Sequence, residues 1–251
     1  MIDIHSHLLP GVDDGSPTVD VSVPVLRAFA AAGVRKVVCT PHLEASRAAS
    51  APYERHVQIL EVLRRRAPEG IELALGWEIM LDVAGADLRS PRLALGGSSA
   101  VLVEFSHAGV PPTAAEELFR QRMSGVVPVV AHAERYWGSS PERVAEWRDV
   151  GAVIQLDSAA LAGRGRSQQL AVELLQRGLA DVIASDNHGD TRSVATAREW
   201  LLELGAEEQA DLLTETNAAR LLANEPTLPV APVESRRGML GRLRALFGGR
   251  A

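Results

Sequence analysis

Two histidines one residue apart, His5 and His7, stand in the opening stretch MIDIHSHLLPGVDDG, and an acidic pair, Asp13 and Asp14, follows them. Imidazole nitrogens and carboxylate oxygens are the donors of mixed-ligand divalent metal sites. Residues two apart on a strand point to the same side, so His5 and His7 can grip one ion if strand geometry persists through Ser6. The same residue types recur along the chain: His42 in TPH, Glu78 in GWE, Glu104 in VEFS, His132 with Glu134 and Arg135 in AHAER, then Gln155 and Asp157, and finally Asp186 and His188 in SDNH. Each has an ordinary role when taken singly. Asp14 in VDDG suits a turn, since Asp-Gly is a turn signal, with Asp13 as its turn neighbour, and Asp186 suits a helix cap. Gathered at one place, several carboxylates repel one another and rise in pKa unless positive charge compensates. Divalent cations supply that charge, and neutral imidazole is their commonest nitrogen ligand. Nine candidate ligands, His5, His7, Asp14, His42, Glu78, Glu104, His132, Asp186 and His188, exceed what one tetrahedral site uses and suit two or three metals with bridging carboxylates.

Short apolar, β-branched runs at residues 1–5, 35–40, 72–76, 100–104, 126–131, 152–156 and 181–184 predict seven strands, most of them continuous apolar runs of the kind buried on both faces of a parallel sheet. Amphipathic segments at 18–32, 53–67, 113–124, 141–150, 168–177 and 192–204 predict the intervening helices, with two shorter ones at 206–213 and 217–222. Ser140-Pro141 is a helix start signal, and glycines such as Gly33 and Gly151 close several of the helical runs. Strand–helix alternation means parallel pairing with right-handed crossovers. It is compatible with a closed barrel and with an open doubly wound sheet. In either, the C-terminal strand ends form one face, which carries the active site, and nearly every candidate ligand falls there. His56 instead lies inside a predicted helix, and His107 follows the fourth strand. No Gly-x-Gly-x-x-Gly follows a strand and no phosphate-loop lysine is present.

The 251 residues carry 46% hydrophobic and 23% charged side chains, a normal balance for a globular domain. A net charge of −6 disfavours a nucleic-acid partner. One cysteine, Cys39, excludes an intramolecular disulfide. With no signal-like leader and no apolar run of membrane-spanning length, a cytoplasmic setting is the expectation. Residues 1–222 are expected to form the domain and 223–237 a Pro-rich linker. Residues 238–251 form a short basic amphipathic tail, in which Met239, Leu240, Leu243, Leu246 and Phe247 alternate with Arg242, Arg244 and Arg250. Such a tail suits a membrane surface or a partner protein, or a helix packed back on the domain.

With HSH, TPH, GWE, VEFS, AHAER and SDNH in this order, the chain resembles the polymerase-and-histidinol-phosphatase (PHP) superfamily. Within it, MIDIHSHLLPGVDDG and AHAER resemble the bacterial tyrosine-protein phosphatases found with capsule and exopolysaccharide synthesis genes. The resemblance runs from Met1 to about Leu222. It implies an α/β fold, a distorted seven-stranded (β/α)7 barrel, and three divalent metals, manganese favoured over iron, zinc or magnesium. It places His5, His7, Glu78 and Asp186 on one metal, Glu78 with Glu104 and His132 on a second, and Asp14, His42 and His188 on the third. Arg135 and Arg192 match phosphate-binding arginines, although GDTRSV around Arg192 departs from the family pattern, and Asp186 or a water would serve as general acid.

The implied activity is hydrolysis of protein phosphotyrosine, with a bacterial tyrosine kinase as the expected substrate and regulation of capsule or exopolysaccharide synthesis as its setting. Another PHP phosphoesterase (a histidinol phosphatase or a 3′–5′ nuclease) and a non-catalytic metal-containing partner of a tyrosine kinase are the alternatives. Cysteine-dependent tyrosine phosphatases use Cys-x5-Arg. Here Cys39 is followed by TPHLEASR, so the arginine position holds Ala45, and Cys39 reads as a small buried hydrophobe.

Overall fold

A computed structural model describes residues 1–106 and 109–234. His107, the tail at 238–251 and the last residues of the Pro-rich stretch lie outside the described residues. The strands are β1 (Ile2–Ser6), β2 (Lys36–Cys39), β3 (His42–Glu44), β4 (Glu72–Leu75), β5 (Glu78–Met80), β6 (Ala100–Glu104), β7 (Val127–Val130), β8 (Val153–Asp157) and β9 (Val182–Ala184). Every ladder is parallel. The ladders form a three-stranded sheet, β1-β2-β4, and a six-stranded sheet, β3-β5-β6-β7-β8-β9. β1, β6 and β8 are buried along their whole length, as strands covered on both faces must be.

The α/β class and the parallel pairing are as the sequence predicts, whereas the count of seven continuous strands is not what is observed. The described residues contain nine strands in two sheets. The two additional strands, β3 and β5, each begin a few residues beyond an expected strand. Pro41 interrupts the first, because proline offers no N–H to a ladder. Gly76 interrupts the second, where a Cβ would lie 2.8 Å from Leu95 Cδ2 and 3.2 Å from its Cα. Beyond each break the strand joins the other sheet. The outer edges of the two sheets meet at β1 and the segment after β9, through the N–H of Asp186 donating to His5 O at 2.9 Å and the N–H of His7 donating to Asn187 O at 2.8 Å. Between them the Asp3 carboxylate replaces a ladder partner and accepts the Ser185 N–H at 3.0 Å.

One apolar cluster draws Ile2 and Ile4 from β1, Val38 from β2, Ala74 from β4, Leu102 from β6, Val129 from β7, Val153 from β8 and Val182 from β9. Both sheets therefore share one interior, floored by Leu95 and Leu221. A second, larger cluster takes the alternate strand residues and packs them under the helices. These are α1 (Val19–Ala31), α2 (Tyr53–Arg64), α3 (Ala114–Met123), α4 (Pro141–Asp149), α5 (Ser158–Ala162), α6 (Arg166–Gln176), α7 (Val194–Glu203), α8 (Glu207–Asp211) and α9 (Asn217–Leu222). α4 starts as its sequence signals: Ser140 accepts the Arg143 N–H and Pro141 occupies the first turn. α5 was not expected, and the Asp157 carboxylate at the end of β8 starts it by accepting the Ala159 N–H at 2.8 Å. Residues 225–234 carry no helix or strand, yet Val230 and Val233 are buried and the Val233 N–H donates to Leu175 O.

Candidate metal centre

The register of β1 against β2 slips between Asp3 and Ser6. Such a bulge re-aims a side chain: Ile4 points into the apolar interior, and the next residue, His5, is turned to the mouth above it. His5 Nδ1 lies 3.0 Å from Gln155 Oε1. That oxygen also accepts the His132 N–H, and the Gln155 amide nitrogen donates to Leu156 O. An amide oxygen only accepts, so the proton sits on His5 Nδ1 and Nε2 presents its lone pair. His7 has the same arrangement, with Nδ1 2.7 Å from Asp13 Oδ2. So does His188, whose Nδ1 is 2.9 Å from the carbonyl oxygen of Asp186. The loop after His7 folds tightly back on it: the Ser16 N–H donates to His7 O, and a Cβ on Gly15 would fall 2.2 Å from that oxygen.

The freed nitrogens and the carboxylates converge. His5 Nε2 lies 3.2 Å from His7 Nε2, 3.4 Å from Glu78 Oε1 and 3.2 Å from Asp186 Oδ1. His7 Nε2 is 3.2 Å from Glu78 Oε2 and 3.3 Å from Asp186 Oδ1. His132 Nε2 is 2.7 Å from Glu78 Oε1 and 3.8 Å from Glu104 Oε2. His42 faces both ways, with Nδ1 3.0 Å from Glu78 and 3.6 Å from Glu104, and Nε2 3.3 Å from Asp14. His188 Nε2 is 3.6 Å from Asp14.

All nine ligand candidates thus meet at one mouth. Their donor atoms form four overlapping sets, each within 4.8 Å: His5, His7 and Asp186; His5, Glu78 and His132; His42, Glu78 and Glu104; and His7, Asp14, His42 and His188. The sets differ from the grouping the resemblance implies: Glu78 is not in the set of His5, His7 and Asp186, His5 joins Glu78 and His132, Glu104 falls with His42 instead of His132, and His7 joins the Asp14 set.

Charge decides what such a cluster can hold. Two unit charges about 4 Å apart at an effective dielectric near 20 repel by about 4 kcal/mol, and Glu78 and Glu104 bring carboxylate oxygens within 4.8 Å of each other. His7 and His42 report the same excess of negative charge. Burial opposes protonation of His7, yet hydrogen bonds to Asp13, Asp186 and Glu78 outweigh it and push the ring up to about 12. His42 is likewise pushed up to about 10 by Glu104 and Glu78 against burial. Burial would raise Glu78 and Asp186, but the surrounding imidazoles hold both carboxyls below their ordinary values. A site that demands positive charge, with Nε2 lone pairs aimed inward by partners on Nδ1, fits divalent cations. His132 and Asp186 also hold backbone φ of 32° and 47°, the left-handed region that non-glycine residues adopt at a cost.

Two arginines border the cluster. Arg135 spans Asp186, at 2.6 Å, and Asp157. Arg192 lies 3.4 Å from Asp186 and 2.8 Å from Asp190. Glu134, by contrast, turns away and is fully buried, where burial and the neighbouring Asp157 push it up to about 8 and its Oε1 accepts the Asp157 N–H. His56 is buried in α2 and stacks on Trp77, outside the cluster. Cys39 is buried, and burial pushes its thiol up to about 12. Sequence reasoning gave Asp13 only a turn, and Asp3 and Gln155 no role; Asp13 orients His7, Asp3 joins β1 to the segment after β9, and Gln155 orients His5.

The family model described as "capsular polysaccharide synthesis, CpsB/CapC" matches residues 1–223. The chain belongs to the CpsB/CapC family. This CpsB/CapC chain is 32% identical to the tyrosine-protein phosphatase YwqE of Bacillus subtilis, over 94% of its own length and 98% of that protein. It is 31% identical to the tyrosine-protein phosphatase CpsB of Streptococcus pneumoniae, over 75% of this chain and 83% of that one. A crystal structure from a study of YwqE and CpsB, described as unique metal-dependent tyrosine phosphatases, matches with a TM-score of 0.80 at 27% identity, covering 93% of this CpsB/CapC chain and 100% of that one. No helix among the described residues is long and apolar enough to cross a membrane.

Proposed function

We propose that this chain is a metal-dependent protein-tyrosine phosphatase acting in capsule or exopolysaccharide synthesis, with a bacterial tyrosine kinase as its phosphotyrosine substrate. The observation that carries the reading is the set of four overlapping His/carboxylate groups at one mouth, bordered by Arg135 and Arg192. Family membership and the names of the relatives support it.

His5, His7, Asp14, His42, Glu78, Glu104, His132, Asp186 and His188 would hold three divalent cations, manganese favoured, inside a distorted barrel of seven strand units. Such cations supply Lewis acidity and make water nucleophilic near neutral pH. The remaining work falls to the chain. Arg135 and Arg192 bind non-bridging phosphoryl oxygens, for which the guanidinium fork is shaped. Asp157 holds one arm of Arg135 and keeps it extended across the mouth. Asp186 stands between the metal ligands and both arginines; held ionised there, it would pass a proton to the leaving oxygen only through a hydrogen-bonded water, or that water would serve alone. A phenolate is a good leaving group, so little acid assistance is needed.

Comparing turnover of a phosphotyrosine peptide, histidinol phosphate and single-stranded DNA tests the assignment. The peptide should be hydrolysed fastest. Preference for histidinol phosphate or DNA would replace this reading with another phosphoesterase.

A further inference from the structure

The metal cluster does not end at its ligands. A cavity of about 410 Å³ opens from His42 and Glu104 and runs outward past Trp77 and Met80 to two arginines, Arg47 and Arg55. Its inner end is the candidate centre itself, so a chain whose phosphotyrosine lies at the metals has this cavity available for neighbouring residues. The walls come from rigid elements: β3, β5, the 3-10 helix Ala45–Ser50, and the start of α2.

Its outer end is positively charged and incompletely paired. Arg55 is exposed and makes no ion pair among the described residues. The acid beside it, Glu54, is taken by Arg92 at 2.7 Å. Arg55 also lies in the first turn of α2, where the helix dipole is positive and favours anions over cations. A basic side chain there gains nothing from its own helix. Arg47 has only a long contact, 3.8 Å, with Glu44. Trp77 is buried and His56 stacks on it with centroids 4.6 Å apart, which gives the cavity a firm aromatic floor.

Resting on the phosphatase reading above, we propose that this cavity is a specificity subsite: it seats the residues flanking phosphotyrosine, and Arg55, with Arg47, pairs with an acidic side chain among them. The substrate class is therefore an acidic phosphotyrosine segment. An exposed ion pair changes a binding constant by up to about five-fold, and reversing the charge replaces attraction with repulsion.

The test uses the metal-loaded full chain and three substrates: a phosphotyrosine peptide with aspartates flanking the phosphotyrosine, the same peptide with lysines in their place, and p-nitrophenyl phosphate, which has no flanking residues. Wild type should favour the acidic peptide in kcat/KM by about five-fold or more. R55E should abolish or invert that preference, R47E should weaken it, and both should keep the wild-type rate on p-nitrophenyl phosphate, which also shows that they fold. Wild-type turnover with no difference between the peptides would overturn the inference alone, as would a preference that R55E leaves intact. No turnover of any of the three by wild type would overturn the phosphatase reading and the subsite with it.

Discussion

Asp13 Oδ2 sits 2.7 Å from His7 Nδ1, and this contact determines which nitrogen of His7 faces the cluster. Its other oxygen accepts the Gly15 N–H at 3.0 Å, so one carboxylate both builds the turn and sets the tautomer. Removing such an outer partner typically weakens metal affinity by about 10–100-fold. Asp13→Ala should lower apparent manganese affinity by that factor while activity returns at saturating metal. A calorimetric titration with unchanged affinity would show that His7 needs no such partner.

Protons and metals compete for the same nitrogens. With carboxylates raising His7 to about 12 and His42 to about 10 against the effect of burial, both rings carry protons at neutral pH before metal binds. Loading should release protons, and apparent affinity should rise from pH 6 to pH 9. The metal-free fold follows the opposite trend. A histidine raised above its unfolded value of 6.5 stabilises fully below that pH and loses its contribution as pH rises through the folded value. Thermal unfolding in chelator should therefore show falling stability above pH 6.5, and a rising or flat profile would contradict the charge assignment.

Cys39 is a packing residue. It is buried, and its thiol is pushed up to about 12, far from the thiolate a nucleophile requires. Cys39→Ser should retain activity within about two- to three-fold, since a swap that changes no ligand touches only the core. A loss greater than ten-fold would reopen cysteine chemistry.

The arginine and the ligands should separate cleanly. Arg135→Ala removes a phosphoryl contact, and losing one such donor costs about 100-fold or more, yet bound metal should be unchanged. His132→Ala should lose both metal and activity. Elemental analysis of the two variants beside their kcat/KM values checks this, and metal loss in Arg135→Ala would mean that the arginine instead supports the cluster through Asp186.

The candidate ligands were legible because strand ends in a parallel α/β chain share one face, whatever their distance in sequence. That rule brought His5 and Asp186 together across the chain without any alignment. The breaks at Pro41 and Gly76 were less legible. Each interrupts an apolar run by one or two residues, and only the approach of Leu95 to Gly76 shows why the strand must bend there.

 The contact belongs to Leu95, from a distant turn, and its closeness is a property of packing that no local pattern carries. Asp13 was hidden for a different reason. Asp-Gly chemistry already accounted for a turn, and a side chain with one sufficient local role gives no sign of a second.

The central claim is that the cluster holds catalytic metal. It is tested most directly by measuring bound manganese, iron, zinc and magnesium in one purified sample while following phosphotyrosine-peptide hydrolysis as chelator is added and manganese is then restored. The account predicts that activity falls in step with bound metal, reaches background in the metal-free protein, and returns with manganese. Full hydrolysis by protein shown to be metal-free would contradict it.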